Sequence, residues 1–167
     1  DDDMTTNHPA NHRVPPPNEA ATSGRAVARP QGRFPAGLPA GDHVVYGPDF
    51  PDESTLRLLG QVEGKRILEL GTGNGSNAVL LARRGAKVIS VDPDPANLDA
   101  ARTLADLHEV KVELHQAEIG DVAFVRADTI DLVLSVHALA EVDGIDRVFR
   151  QVHRVLRPEC SLLLSLP

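Results

Sequence analysis

From position 65 onward, the apolar positions of this chain alternate between short continuous runs and helical spacings. Ile67, Leu68 and Leu70 make one run, and Lys87–Val91, Thr129–Val136 and Ser161–Leu166 make three more, while Lys111–Leu114 reads as a further strand with Val112 and Leu114 on one face. Runs this short, apolar on both alternate faces, predict strands covered on both sides. Between them the period changes. Val79, Leu80 and Leu81 open a helix behind a cluster of glycines, and Gly85 is placed to end it. Leu98, Ala101, Leu104 and Ala105 recur at helical spacing behind Asp94-Pro95, with the proline suited to a first turn. Ile145, Val148, Phe149, Val152, Val155 and Leu156 make one apolar stripe across Gly144–Arg157. Asp146, Arg147, Arg150, Gln151 and Arg154 cover its other side, and Pro158 is read as its stop. Strand–helix–strand alternation predicts an α/β fold with a doubly wound, mostly parallel sheet.

The part before this alternation reads differently. Residues 4–42 hold seven of the 13 prolines, and their large apolar residues follow no period. Such a composition cannot bury enough surface to offset the entropy of ordering, so 1–42 is expected to be a disordered tail. Asp1–Asp3, ahead of Met4, read as the remnant of an expression tag. The domain is expected to run from 43 to 167. His43–Phe50 reads as an extended approach. A short helix is expected from Pro51-Asp52-Glu53-Ser54 to Gly60, with acids in its first turn where the helix dipole favours them.

Composition narrows the function classes. The net charge of −7 argues against non-specific nucleic-acid binding, which needs a basic surface. A single cysteine, Cys160, excludes an internal disulfide and a multi-cysteine metal site, and no metal is expected. No apolar run reaches the roughly 18 residues of a membrane span, so no membrane partner is expected and a cytoplasmic protein is the default.

The chemistry concentrates at the first strand–helix junction, Glu69-Leu70-Gly71-Thr72-Gly73-Asn74-Gly75. Glycines at alternate positions suit a loop that turns sharply and admits a ligand close to the backbone. Ser76 or Asn77 is placed to cap the helix that follows. Asp92 ends the second strand, where an acid can accept hydrogen bonds from a ribose diol. The third glycine of a dinucleotide fingerprint would fall at Ser76, and Glu69 would repel a pyrophosphate.

This loop resembles motif I of the class I S-adenosylmethionine (SAM) methyltransferases of the small-molecule type, and the likeness runs from about His43 to Pro167. It implies a Rossmann-like sheet of order 3-2-1-4-5. Two further strands of that fold are not in this sequence, so the chain reads as truncated after the fifth. SAM is the implied cofactor. The acid at Glu69 then lies near the cationic amino-acid end, and Gly71, Thr72, Gly73, Gly75, Asp92 and Pro93 form the cradle. Glu118 matches the acid that binds the adenine amino group, with the Ile119 N–H near a ring nitrogen. Ser135 and His137 end the fourth strand beside the crevice, and Tyr46 is placed to close over the methionine end or to pack the N-terminal segment onto the domain. His137 is the one candidate catalytic group, weighed against a polar filler. Leu156-Arg157-Pro158-Glu159-Cys160 resembles the family's L-R-P-G-G turn with both glycines replaced, so this corner is expected to be rebuilt. The reaction the resemblance implies is methyl transfer to a small-molecule acceptor, and the absence of the N-P-P-Y pattern found in many DNA and protein-glutamine methylases argues against an adenine, cytosine or glutamine substrate. A non-catalytic module binding SAM or S-adenosylhomocysteine is the alternative, and an NAD-dependent oxidoreductase a third. An apolar strand left at a sheet edge invites another chain, so self-association through Ser161–Leu166 is expected.

Overall fold

The computed structural model describes residues 37–167. Most of the expected tail, residues 1–36, lies outside the described residues. Leu38 packs against two groups of core side chains, and Asp42 pairs with Arg83 at 2.9 Å, so contact with the domain begins a few residues before 43.

Five strands form one sheet in the order β3-β2-β1-β4-β5, and all four pairings are parallel. The strands are β1 Arg66–Leu70, β2 Lys87–Asp92, β3 Val112–Gln116, β4 Ile130–Val136 and β5 Leu156–Ser165. Helices α1 Glu53–Leu56, α2 Ser76–Arg83, α3 Pro95–Leu107 and α4 Ile145–Val155 connect or precede them, with a 3₁₀ turn at Ala138–Glu141. The predicted order is therefore the order found.

Burial follows the runs. β1, β2 and β4 occupy the middle of the sheet, and their Ile67, Leu68, Leu70, Val91, Val133 and Leu134 are almost fully enclosed. One face carries Leu68, Leu70, Ile89, Val91 and Val133 against Val148, Val152 and Val155 of α4. The other carries Ile67, Val88, Leu132 and Leu134 against Ala78, Leu80 and Leu81 of α2, together with Val44 and Tyr46 from the N-terminal segment. Leu98, Ala101, Leu104 and Ala105 are all buried, as their spacing predicts.

Several local readings need correction. The cap of α2 is Gly75 itself, in the left-handed region, and Asn74 Oδ1 accepts from the Ser76 N–H; neither Ser76 nor Asn77 caps. Asp52 does cap α1, accepting from the Ser54 N–H, but α1 stops at Leu56 because Arg57 turns left-handed, well before Gly60. Helix α4 ends at Val155, and Pro158 falls inside β5, an edge strand, where its missing N–H removes no central ladder bond. The stripe of α4 is wider than the sheet it covers, and Ile145 and Phe149 remain exposed.

The Leu156–Cys160 corner is rebuilt as a bulge. On β4, Ile130 and Leu132 pair with Leu156 and Ser161, so one residue on β4 faces four on β5. Glu159 sits there at φ +63°, the left-handed conformation that a glycine would adopt without strain. Asp131, the β4 residue opposite the bulge, accepts from the Arg66 N–H at 2.8 Å and from Arg157 at 3.1 Å, tying three strands together.

Candidate functional site

The carboxyl ends of β1, β2 and β4 open toward the glycine loop. Gly71, Gly73 and Gly75 all have positive φ. Two of them are also fixed by close neighbours. A Cβ on Gly71 would fall 2.3 Å from the Ala138 side chain, and one on Gly75 would fall 2.5 Å from Ala101 of α3. The loop is thus folded tightly between the 3₁₀ turn and α3. It is pinned by Gly71 N–H to the Val91 carbonyl (2.8 Å) and by Gly75 N–H to the Thr72 carbonyl (2.9 Å).

Asp92 stands beside this loop, 3% exposed. Its Oδ2 accepts from the Gly73 N–H at 3.3 Å and from the Asn97 amide at 3.2 Å, and its Oδ1 accepts from the Asp94 N–H at 2.8 Å. One carboxylate therefore holds both the loop and the start of α3.

Glu69 is also buried, at 3% exposure. Ser90, its register partner on β2, donates to Glu69 Oε2, and Thr72 Oγ1 lies 2.7 Å from Ser90 Oγ. Burial pushes the Glu69 carboxyl up to about 8; the Ser90 hydrogen bond opposes this, and the charge of Asp92 adds to it.

The remaining predicted residues fall around the crevice in different roles. The Ala117 N–H donates to the Asp92 carbonyl at 3.3 Å, which anchors the loop after β3 next to Asp92. Glu118 is exposed on that loop, while Ile119 is buried in the α4-side core. Pro93 is half-buried directly after Asp92. Ser135 is fully buried and donates to the Leu70 carbonyl at 3.1 Å, locking β4 to β1. His137 is 8% exposed at φ +59°; its N–H donates to the Ser165 carbonyl, and its ring lies against Gly47 and edge-on to Phe50. Tyr46 is buried, and its hydroxyl donates to Glu53 at 2.5 Å. Burial first, and Glu53 next, raise that phenol above its ordinary range, so it stays a neutral donor.

Residues 44–47 form a strap across the carboxyl ends of the strands. Asn77 of α2 holds Val45 through both backbone groups, Ser165 of β5 donates to the Tyr46 carbonyl at 2.6 Å, and Gly47 rests on His137. Sequence reasoning missed Ser90, Asn97 and Ser165 altogether and gave Asn77 the wrong task. Ser90 carried a signal, as the polar residue inside the run Val88-Ile89-Ser90-Val91.

Among the described residues no group of His, Cys, Asp and Glu is arranged to hold a metal ion, and no helix is long and apolar enough to cross a membrane.

Comparison with known proteins adds a second line. Residues 68–164 match the profile of a family described as "Methyltransferase domain". The ubiquinone biosynthesis O-methyltransferase of Hahella chejuensis is 32% identical over 117 residues, covering 70% of this chain and 47% of that protein. Its namesake in Azorhizobium caulinodans is 30% identical over 109 residues, covering 65% and 43%. The chain thus spans just under half the length of these curated relatives. The crystal structure of an S-adenosylmethionine dependent methyltransferase from Mesorhizobium loti is 29% identical with a TM-score of 0.57, covering 64% of this chain and 48% of that one.

Proposed function

Because the chain belongs to the methyltransferase-domain family, we propose that it binds S-adenosyl-L-methionine in the crevice beside the glycine loop. In this reading it passes the methyl group to a small-molecule acceptor, or forms the cofactor-binding portion of an enzyme that does. The observation that carries the reading is the pair of buried carboxyl groups, Glu69 and Asp92, on the strands flanking a loop that holds no basic residue from 67 to 82. That set suits a ligand with a ribose diol and cationic groups, and it disfavours the pyrophosphate of a nicotinamide dinucleotide.

Asp92 would hold the ribose, and Glu69 would stand toward the cationic end. The backbone of Gly71–Gly75 would admit the ligand closely, with Glu118 and Ile119 on the adenine side. When bound, SAM supplies a methyl group on a good leaving group. The protein's share is then alignment and exclusion of water. The strap supports this role, since it already lies over the strand ends. His137, packed against Gly47 and Phe50, receives no proton-transfer task here. The O-methyltransferase relatives support an oxygen nucleophile on the acceptor. A cytoplasmic setting belongs to the same proposal.

Calorimetric titration with SAM, S-adenosylhomocysteine and NAD tests the reading. Binding of the first two and not of NAD is expected; the reverse would replace the enzyme class. A non-catalytic SAM-binding module is the second reading, and turnover against a panel of hydroxyl acceptors separates it from the first. Self-association is a further part of the proposal. β5 is an edge strand with half-buried Leu162, Leu163 and Leu164 and a 49% exposed Leu166, so a second copy can pair there. Sedimentation over a concentration series decides this, with a monomer at every concentration as the adverse result.

A further inference from the structure

Glu69, Ser90 and Asp92 project from the same face of the sheet, because Glu69 pairs with Ser90 in register and Asp92 follows two residues on. The surroundings of Glu69 on that face can be enumerated. Its register partner on β4 is Leu134. Leu114 pairs with Ser90 from β3. Helix α2 covers this face with Ala78, Leu80 and Leu81, behind Ser76 and Asn77. The strap contributes Val44 and Tyr46, the latter bonded to Glu53. The charged group that acts on Glu69 is Asp92, of the same sign. Ser90 is fully buried, and with its proton committed to Glu69 it accepts from Thr72, a loop residue itself 4% exposed. The chain Thr72–Ser90–Glu69 therefore runs from the ligand loop to a buried acid on a face whose charged contribution is negative.

We propose that Glu69 is a proton-linked group of this site: enclosure beside Asp92 holds its carboxyl as a neutral acid in the free protein, the Thr72–Ser90 hydroxyl pair positions that carboxyl and limits how firmly it keeps its proton, and a cationic ligand entering the crevice binds with loss of the proton to solvent. The inference rests on the reading of the crevice as a SAM site. The proton balance is simple. One carboxyl O–H is broken, the proton passes to buffer, and the carboxylate left behind faces the incoming positive charge. Burial supports the neutral starting state, since an isolated carboxylate is costly in a dry site. The positive charge of the ligand compensates the carboxylate in the bound state.

The test is titration calorimetry with SAM in two buffers of different ionisation enthalpy, between pH 5.5 and pH 7, where the ligand's own amino group stays protonated. Wild type is expected to release close to one proton, and its affinity to rise about tenfold per pH unit. Glu69→Gln should bind without proton release and without that pH dependence. Ser90→Ala removes a bond that favours the carboxylate, so its affinity profile should move to higher pH, while Ser90→Thr should keep the wild-type profile. A merely structural serine would leave the profile where it was. A ¹³C titration of the Glu69 carboxyl in the free protein supplies a readout independent of ligand. Glu69 already ionised at pH 6, or SAM binding with no proton released, overturns the inference and leaves the cofactor reading standing. Folded protein that binds no SAM at any pH overturns the cofactor reading and this inference with it.

Discussion

The side-chain amide of Asn77 pairs with both backbone polar groups of Val45, accepting from its N–H at 2.9 Å and donating to its carbonyl at 2.8 Å. One residue of α2 thus does for the strap what a neighbouring strand would do, across 32 positions of sequence. Asn77→Ala leaves two part-buried backbone groups without these partners, at a cost of about 1–3 kcal/mol. Thermal unfolding should show that loss, and hydrogen exchange should show it localised at Val45. A global loss with Val45 still protected would mean that Ser165 and Gly47 hold the strap alone.

A second prediction concerns Asp92. Its two oxygens organise the loop and α3 before any ligand arrives. Asp92→Ala should weaken SAM binding by about 1.5–3 kcal/mol, as expected for hydrogen bonds to a charged group. It should also lower stability, so binding is to be measured on protein shown to be folded by circular dichroism. Unchanged affinity in folded protein would move the ribose elsewhere.

Much of this was readable in advance, and the reason is physical. Interior parallel strands must be apolar on both faces, so β1, β2 and β4 announce themselves as runs, and an acid at the end of β2 stands where the crevice opens. What stayed hidden depends on contacts far apart in sequence. Asn77 meeting Val45, or Ser165 meeting Tyr46, leaves no periodic trace. Pro158 read as a helix stop because proline breaks helices, yet proline is equally at home in the edge strand it occupies. Gly71 and Gly75 read as room for a ligand, and the structure adds Ala138 and Ala101 as the side chains that forbid a Cβ there.

Those contacts give a third prediction. Gly75→Ala combines a left-handed conformation (φ +82°) with a Cβ 2.5 Å from Ala101, so it should cost about 2–4 kcal/mol. Adding Ala101→Gly takes away the Ala101 Cβ but leaves its Cα, which lies at the same 2.5 Å, so it relieves only part of the clash while costing about 1 kcal/mol of helix propensity. Urea denaturation of both single variants and the double variant should therefore show the double to be more stable than the sum of the singles. Strict additivity would assign the clash to the Ala101 backbone rather than to its Cβ.

The fourth prediction is a pH dependence of stability. Glu69 is raised in the folded state to about 8 from an ordinary value of 4.5. Between those values the folded state binds the proton and the unfolded state does not. Stability contributed by this group is thus full below about pH 4.5 and is lost as pH rises toward 8. The loss is on the order of a few kcal/mol. Glu69→Gln should flatten the fall between pH 5 and pH 8 in denaturant midpoints; an equally steep fall in the variant would assign the slope to other groups.

A fifth follows from the bulge. Glu159 holds φ +63°, where a side chain costs roughly 1–2 kcal/mol and glycine does not. Offset by the greater freedom of glycine in the unfolded chain, Glu159→Gly should stabilise by about 0.5–1 kcal/mol, visible as a raised thermal midpoint. A lowered midpoint would show that the glutamate side chain makes a contribution of its own.

That bulge also acts as the timing mark of β5. Leu162-Leu163-Leu164 reads the same if shifted by one, so the leucines cannot record which of them belongs to which face. In the structure Leu162 and Leu164 go to the α4 layer and Leu163 to the α2 layer. The phase is set upstream, where four residues of β5 answer one of β4, with Arg157 tied to Asp131. Removing a single residue there would move every later residue by one step. A leucine would then stand where Ser165 now pairs with Val136, and the hydroxyl that holds the Tyr46 carbonyl would be gone. The far end of the sheet thus keeps count for the strap at the ligand end, and a one-residue miscount at the bulge is spelled out as an unlatched strap.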